Sequence, residues 1–257
     1  MIKFFRKIRQ KTLTENKFSK YLIYAIGEII LVVIGILIAL QINNWNNQRL
    51  ANKQMNSFLE GIKDDLKSDE IAFDNIIQKF NRVAEQKRKF LKLTNFEDLD
   101  VDSLFMVIQP SYRPYEINAT TFDKIKSSGI TQISYNKELS KNIYNYYNAT
   151  SIDLKGFMDS DMDRAKLTDN YFNYGTNSFE FNLKYFSNPK ESTNEIINFQ
   201  EESIRKQNLI KLLSEPTGRN HIKNTYMLKR DGAGFILRLK ETTESLITDI
   251  EKELNKK

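Results

Sequence analysis

An apolar run from Tyr21 to Ile42 constrains this chain most, because it is long enough to cross a lipid bilayer. It contains 22 residues. As an α-helix this length extends about 33 Å, against about 30 Å for a hydrocarbon core. A secretory signal has a shorter apolar core and a small-x-small cleavage site, whereas this run continues into "ALQINNW". We therefore predict an uncleaved transmembrane signal anchor over residues 21–43.

Charge on the two sides of this run predicts its orientation. Residues 1–20 form a basic stub with seven basic residues and one acidic residue, Glu15, so its net charge equals the +6 of the whole chain. By the positive-inside rule the stub is cytoplasmic and the chain beyond about Asn43 lies outside. We interpret the charge as a topology signal and expect no nucleic-acid partner. The topology-determining residues are Lys3, Arg6, Lys7, Arg9, Lys11, Lys17 and Lys20.

Aromatic side chains flank the apolar run on both sides. Tyr21 and Tyr24 stand near its beginning, and Trp45, the only tryptophan, follows its end. Tyrosine and tryptophan are enriched at membrane–water interfaces, where one end of the ring is apolar and the other is hydrated. We therefore predict that these three residues are interfacial anchors and that the lipid bilayer is a partner of the chain.

Glu28 lies inside the run, about two turns from its cytoplasmic end. An ionised acid near the centre of a span costs about 2.5–3.5 kcal/mol. Gly35 and Ala39 share the face of Glu28, since seven and eleven residues are nearly whole numbers of turns, and a small-xxx-small pair lets a second helix approach closely. We predict that this face packs against another membrane helix, with Glu28 hydrogen-bonded or ion-paired across the contact. The alternative is a protonated or snorkelling Glu28 on a lone anchor.

Two stretches resemble a known family. The opening "MIKFFRKIRQ" with "GEIILVVIGILIALQINNWN" resembles the start of a bacterial family of unknown function, made of single-anchor proteins of about this length. "TTFDKIKSSG" followed by "ELSKNIYNYYN" is similar to a second, more degenerate patch of that family. The resemblance implies an inner-membrane anchor with a periplasmic helical domain in a Gram-negative cell. It brings no known activity and therefore implies no catalytic residue.

Beyond the span, apolar residues recur at the three-four spacing of an amphipathic helix. The pattern weakens near Ser68–Glu70, which leaves a kink there open, but no proline interrupts the chain between Trp45 and Leu93. We predict one helix of nearly fifty residues whose apolar side needs partners. The stripe is formed by Met55, Leu59, Ile62, Leu66, Phe73, Ile76 or Ile77, Phe80, Val83 or Ala84, and Leu91.

The rest of the chain reads as shorter and longer helices. "DVDSLFMVI" predicts a short helix, and a second one follows with Thr121 as its N-cap and Gly129 as its C′ stop. Asn136 is predicted to cap a longer helix. The fold class is therefore all-α: over residues 44–257 an elongated antiparallel bundle of about four main helices plus short ones continues from the transmembrane helix.

The last two main helices are predicted at 192–213 and near the C-terminus. The first carries Ile196, Ile197, Phe199, Ile204, Leu209 and Leu212. Gly232 falls in phase with the stripe of the second, so we predict that this helix continues through "RDGAGF" with its backbone against a neighbour. That stripe is Leu228, Gly232, Phe235, Leu239, Thr242, Leu246, Ile250 and Glu253 or Leu254.

An aromatic segment, residues 171–186, separates these helices from the preceding ones. Its default interpretation is a hydrophobic plug at the end of the bundle, and the alternative is an exposed patch that binds a partner. Its aromatic residues from position 174 onward are Tyr174, Phe179, Phe181, Tyr185 and Phe186.

Residues capable of catalysis or metal binding are scarce. The chain has no cysteine and one histidine, His221, which excludes disulfides, thiol nucleophiles and histidine-rich metal sites within one chain. "DSDMD", Asp159 to Asp163, begins like a calcium loop, but the required glycine is Arg164. We interpret it, and "DDLKSDE" from Asp64 to Glu70, as charged helix surface. We predict no catalytic residue, cofactor or metal, and a surface or capping role for His221.

The function predicted from these features is non-enzymatic. We expect an extracytoplasmic interaction, scaffold or accessory subunit of an envelope complex in the bacterial inner membrane. Its expected partner is another membrane or periplasmic protein, or a second copy of the chain. The alternative is a periplasmic four-helix module that senses a ligand and signals through a partner, because the cytoplasmic stub contains no output domain.

Overall fold

In a computed structural model the described residues are 6, 18–130, 132–175, 179–180 and 198–256, and within them the chain is helical without a β-strand. The predicted all-α class is confirmed. The helices are α1 (Phe18–Leu91), α2 (Val101–Ile108), α3 (Thr120–Ser127), α4 (Lys137–Asn145), α5 (Ser151–Asp169), α6 (Glu202–Ser214) and α7 (Pro216–Leu254), and π-helical turns at Tyr146–Thr150 and Asn170–Tyr174 follow α4 and α5.

The chain divides into two compact units, Met1–Ser57 and Phe58–Lys257. The first unit contains the beginning of α1, whose apolar stretch is not buried by any described part of the chain. Among the described residues, α1 is the one helix long and apolar enough to cross a membrane. Hydrogen bonding along α1 is uninterrupted from Phe18 to Leu91, including the stretch near Ser68 where the apolar spacing weakens.

Within the second unit, α7 runs antiparallel to the later part of α1. Lys67 Nζ lies 3.8 Å from Glu251 Oε1, and Asp74 Oδ1 lies 2.8 Å from Lys240 Nζ. Residue numbers therefore rise along α1 as they fall along α7. This pairing agrees with the antiparallel bundle that the sequence analysis predicts.

The α4–α5 segment runs parallel to α1 and antiparallel to α7. Tyr146 donates a hydrogen bond to Asp69, and further along both helices the rings of Phe157 and Phe80 are 6.1 Å apart. Among the described residues, 22 buried apolar side chains form the core between these helices, and α3 and the segments beside it contribute some of them. A second, smaller core joins the end of α1 to α2, α6 and the start of α7.

Local signals located several helix ends correctly. The Asn136 side chain accepts hydrogen bonds from the backbone N–H groups of Glu138 and Leu139 and caps α4. Gly129 follows the C-cap of α3 with a φ of 71°, in the left-handed region that glycine tolerates. Thr121 is not the N-cap that we predicted: α3 begins at Thr120, and the backbone N–H of Thr121 donates to Asp65 of α1.

The structure corrects two features of the C-terminal helices. The helix predicted over residues 192–213 is described from residue 198 onward. Residues 198–201 are not helical, the side chain of Phe199 is 94% exposed, and α6 begins at Glu202. Ile196 and Ile197 lie outside the described residues. In α7 the core residue is Thr243 and not Thr242, which is exposed. The predicted passage of α7 through Gly232 is confirmed, since the helix is continuous from Pro216 to Leu254.

The aromatic segment is described in part. Phe172 and Phe179 are buried in the smaller core, which agrees with the interpretation as an interior plug, whereas the side chain of Tyr174 is exposed. Phe181, Tyr185 and Phe186 lie outside the described residues.

Candidate functional site

The residues predicted to pack in the membrane all lie on α1. Glu28, Gly35 and Ala39 are exposed in the structure, and helical geometry puts them on one face. A Cβ added at Gly35 would meet nothing within 4 Å, so this face has room for a second helix. Packing of this face against another membrane helix stays a prediction.

The other predicted membrane residues are placed as follows. Tyr21 and Lys20 lie within α1, and the side chains of Tyr24 and Trp45 are exposed. Arg6 is exposed, whereas Lys3, Lys7, Arg9, Lys11 and Lys17 lie outside the described residues. The topological role of this stub and the anchoring role of the aromatic residues stay predictions.

A buried acidic centre, formed by Asp65 and Asp69 of α1, organises the second unit. Asp69 is 0% exposed. Its Oδ1 accepts hydrogen bonds from the hydroxyl of Tyr115 at 2.6 Å and the backbone N–H of Asn118 at 2.9 Å, and its Oδ2 accepts one from Tyr146 at 2.8 Å. Burial nevertheless raises the pKa of Asp69, and the three donors lower it by less. The carboxylate therefore links α1 to the segment between α2 and α3 and to the π-helical turn that follows α4.

Asp65 lies one turn before Asp69 on α1, and its carboxylate contacts the first turn of α3. That helix has no side-chain cap of its own at Ala119, and the Asp65 Oδ2 accepts from the backbone N–H of Thr121 at 2.7 Å. An acid at a helix N-terminus satisfies an orphan donor and complements the helix dipole. The interpretation of Asp64–Glu70 as charged surface is therefore wrong for Asp65 and Asp69, while Asp64 is exposed.

A buried basic centre, formed by Lys87, Lys229 and Asp161, lies further along α1. Both carboxylate oxygens of Asp161 accept from Lys229 Nζ at 2.6 Å, and each side chain is 2% exposed. The ammonium of Lys229 also stands 4.3 Å from the ring centroid of Phe80. The interpretation of "DSDMD" as solvated surface is thus wrong for Asp161, although Asp159 and Asp163 are exposed.

Lys87 is the third member of the basic centre, and it has no carboxylate partner among the described residues. It is 3% exposed and donates a hydrogen bond to the Val107 carbonyl at the end of α2. Burial, together with a smaller effect of the positive charge of Lys229, lowers the pKa of Lys87 to about 8. The ammonium caps a helix C-terminus, where a cation is favourable, but two of its three donors have no described partner.

These buried charges share a signal that sequence reasoning missed. Asp69 stands between Leu66 and Phe73 at core spacing, Asp161 between Met158 and Ala165, and Lys87 between Ala84 and Phe90. Each therefore occupies a position of an apolar stripe. A charged residue in phase with a helical stripe predicts a buried, partnered charge. The gap in the α1 pattern near Ser68 is the position that Asp69 fills.

The ring of His221 packs against aromatic and hydroxyl side chains of the preceding helical segment. Its ring stacks on that of Tyr171 at a centroid distance of 4.7 Å, and its Nδ1 lies 3.4 Å from Thr168 Oγ1. Partial burial lowers the pKa of His221, so the neutral imidazole is favoured. Within the described ranges, no group of three histidine, aspartate or glutamate side chains is arranged to hold a metal ion.

Comparison with known proteins places this helical chain in a family. A family model of proteins of unknown function, DUF6090, matches residues 28–206. The chain therefore belongs to this family of unknown function. The match begins at Glu28 in the apolar part of α1 and ends within α6. No curated protein and no solved structure matches the chain.

Proposed function

We propose that this protein is a single-pass membrane protein whose helical unit has a non-enzymatic role outside the cytoplasm. It would serve as an interaction, scaffold or accessory subunit of an envelope complex in the bacterial inner membrane. The proposal is supported most by the apolar stretch of α1, which stays unburied in the structure. A helix that is apolar all round needs a lipid or protein environment.

The orientation is the first part of the proposal to test. The chain has no cysteine, so a single introduced cysteine gives an unambiguous thiol label. We expect a membrane-impermeant maleimide to label Ser57→Cys in intact spheroplasts and to label Gln10→Cys only after permeabilisation. Labelling of Gln10→Cys alone in intact spheroplasts would reverse the orientation, and recovery of the protein in the soluble fraction would refute the anchor.

The partner is the second part, and the face containing Glu28 and Gly35 supports it. We expect mild-detergent purification of the full-length protein from its host to recover a stoichiometric envelope protein. Glu28→Leu removes a buried-charge cost and should leave insertion intact while weakening that complex. Gly35→Leu should do the same by filling the face.

Gly27→Leu is the matched control, because it adds the same bulk about 100° away from Glu28 on the helix. Loss of the complex in Gly35→Leu but not in Gly27→Leu would support the packing face. Equal recovery of partners from wild type, Glu28→Leu and Gly35→Leu would contradict it.

A ligand-sensing role is the second candidate, and a groove between α4 and α7 favours it. The groove encloses about 580 Å³ and is bordered by polar residues such as Asn142, Asn145, Thr150 and Ser245. Tyr146, which also lines it, donates to Asp69 in the acidic centre. A clean homo-oligomer without another protein would favour this role and make a ligand screen of the full-length protein the next experiment.

A further inference from the structure

A second cleft lies beside the basic centre, between α1 and the segment that follows α2. It encloses about 420 Å³ and is lined by Lys79, Arg82, Gln86, Lys87, Gln109 and Ser111, together with three apolar or proline residues. Clefts of several hundred cubic ångströms are typical of sites for small molecules. This one differs from the groove beside α4 in the chemistry of its lining.

The lining of this cleft carries three basic side chains and, among the described residues, no carboxylate. The one acid of the basic centre as defined above is Asp161, and both its oxygens accept hydrogen bonds from Lys229. Lys79 and Lys87 each act electrostatically on Lys229, so the cluster holds more buried or half-buried cations than anions. An excess of positive charge in a partly dry site favours a bound anion.

The hydrogen-bond donors of the cleft are also in excess. Lys79 and Lys87 each donate to one backbone carbonyl, those of Tyr112 and Val107, and an ammonium has three donors. Gln109 Nε2 is buried and has no hydrogen-bond partner in the described chain. Arg82 is exposed at the edge of the cleft, where its planar fork suits an oxyanion.

We propose that this cleft binds a phosphate group, with the guanidinium of Arg82 and the ammonium groups of Lys79 and Lys87 as its ligands. A phosphate supplies several strong acceptor oxygens and up to two negative charges, which match the unused donors and the uncompensated cations. Arg82 forms the bidentate contact and the two lysines supply point charges. The phosphate belongs to a free phosphorylated molecule or to a lipid headgroup, and the chemistry of the contact is the same for both.

The test measures thermal unfolding of the full-length protein in a mild detergent at constant ionic strength. Inorganic phosphate, compared with chloride, should raise the Tm in a saturable way, because a ligand that binds only the folded state stabilises it. Arg82→Gln and Lys87→Met should each weaken phosphate binding about tenfold or more, as expected for a lost charged hydrogen bond. Arg82 is exposed, so its variant tests the site without disturbing the core.

Lys89→Gln is the matched control, since Lys89 is an exposed cation on the same helix and does not line the cleft. Its phosphate response should equal that of the wild type. The proposal is overturned if neither inorganic phosphate nor phosphatidic acid raises the Tm of the wild type. It is also overturned if Arg82→Gln, Lys87→Met and Lys89→Gln all respond as the wild type does.

A second arm separates the two sources of phosphate. Short-chain phosphatidic acid is added in place of inorganic phosphate, with short-chain phosphatidylcholine as its control. Stabilisation by phosphatidic acid alone supports a lipid headgroup, and stabilisation by both phosphate probes supports a free ligand. This binding test is independent of membrane orientation and of copurified proteins, so its failure is distinguishable from failure of the proposed function.

Discussion

The acidic and basic centres both bury charge on the same helix, but they are satisfied differently. Asp69 receives three hydrogen bonds from Tyr115, Asn118 and Tyr146, whereas Lys87 reaches one backbone carbonyl. Burial favours the neutral form of both side chains, because it raises the pKa of Asp69 and lowers the pKa of Lys87. A buried charge on which several donors converge therefore links the segments that carry those donors. Where partners are too few, it leaves capacity for a ligand.

The largest expected effect is at Asp69. Asp69→Ala leaves the hydroxyls of Tyr115 and Tyr146 and the N–H of Asn118 without their acceptor, so we expect a loss of about 3–5 kcal/mol of stability. Urea unfolding of the full-length protein in detergent, followed by circular dichroism, measures it. Asp64→Ala, one exposed acid on the same helix, should change stability by less than about 0.5 kcal/mol. Similar losses of stability for both variants would mean that the hydrogen bonds to Asp69 do not stabilise the fold.

The ion pair of the basic centre should respond next most strongly. Asp161→Leu leaves Lys229 as an uncompensated buried cation and should cost about 3 kcal/mol or more. The double variant Asp161→Leu with Lys229→Met removes both charges and should recover most of that loss.

The exposed Asp159 is the control for this pair. Asp159→Leu should lie within about 0.5 kcal/mol of the wild type. A double variant as unstable as Asp161→Leu alone would mean that the pair itself, and not the desolvated charge, determines stability here.

Gly232 tests how tightly the basic centre is packed. A Cβ there would stand 2.5 Å from Phe157 Cζ and 3.0 Å from Phe80 Cε2. Overpacking should outweigh the better helix propensity of alanine, so Gly232→Ala should destabilise by about 1 kcal/mol. Gly234→Ala, whose Cβ would meet nothing nearer than Arg238 Nη1 at 3.9 Å, should instead stabilise by about 0.5–1 kcal/mol. The same sign for both glycines would contradict close packing at Gly232.

Removing the charge of Lys87 should stabilise the protein, whereas removing that of Asp69 should destabilise it. Burial lowers its pKa from 10.5 to about 8, so between these pH values the unfolded chain binds more protons than the folded chain. The contribution of Lys87 to stability therefore rises with pH in this window and is most unfavourable below it. Lys87→Met should stabilise by about 1–2 kcal/mol at neutral pH, after the lost bond to Val107 is allowed for.

The measurement for Lys87 is the difference in unfolding free energy between wild type and Lys87→Met across that pH window. Taking a difference cancels most of the titration of groups shared by both proteins, including Tyr115 and Tyr146. Lys89→Met, an exposed change on the same helix, should show no such pH-dependent difference. A Lys87→Met protein that is less stable than the wild type at neutral pH would mean that the contact with Val107 outweighs desolvation.

Much of the fold followed from the sequence because its signals are local. The apolar run and the three-four spacing predicted α1, Asn136 and Gly129 marked helix ends correctly, and Gly232 lay in phase with the stripe of α7. Helical periodicity, a capping side chain and a glycine with positive φ each depend on a few neighbouring residues. These features can therefore be predicted without knowledge of the tertiary structure.

Tertiary structure alone decided which charges are buried and what they contact. Asp69 and Tyr146 are 77 residues apart, and Asp161 and Lys229 are 68 apart, so no local pattern identifies them as partners. The start of α3 was misplaced for the same reason, since the acceptor for Thr121 is Asp65, 56 residues earlier. The sequence determined that this chain is helical and carries one apolar helix able to span a membrane. Packing selected the charges that hold its helices together, because burial and hydrogen bonding depend on segments that only folding brings into contact.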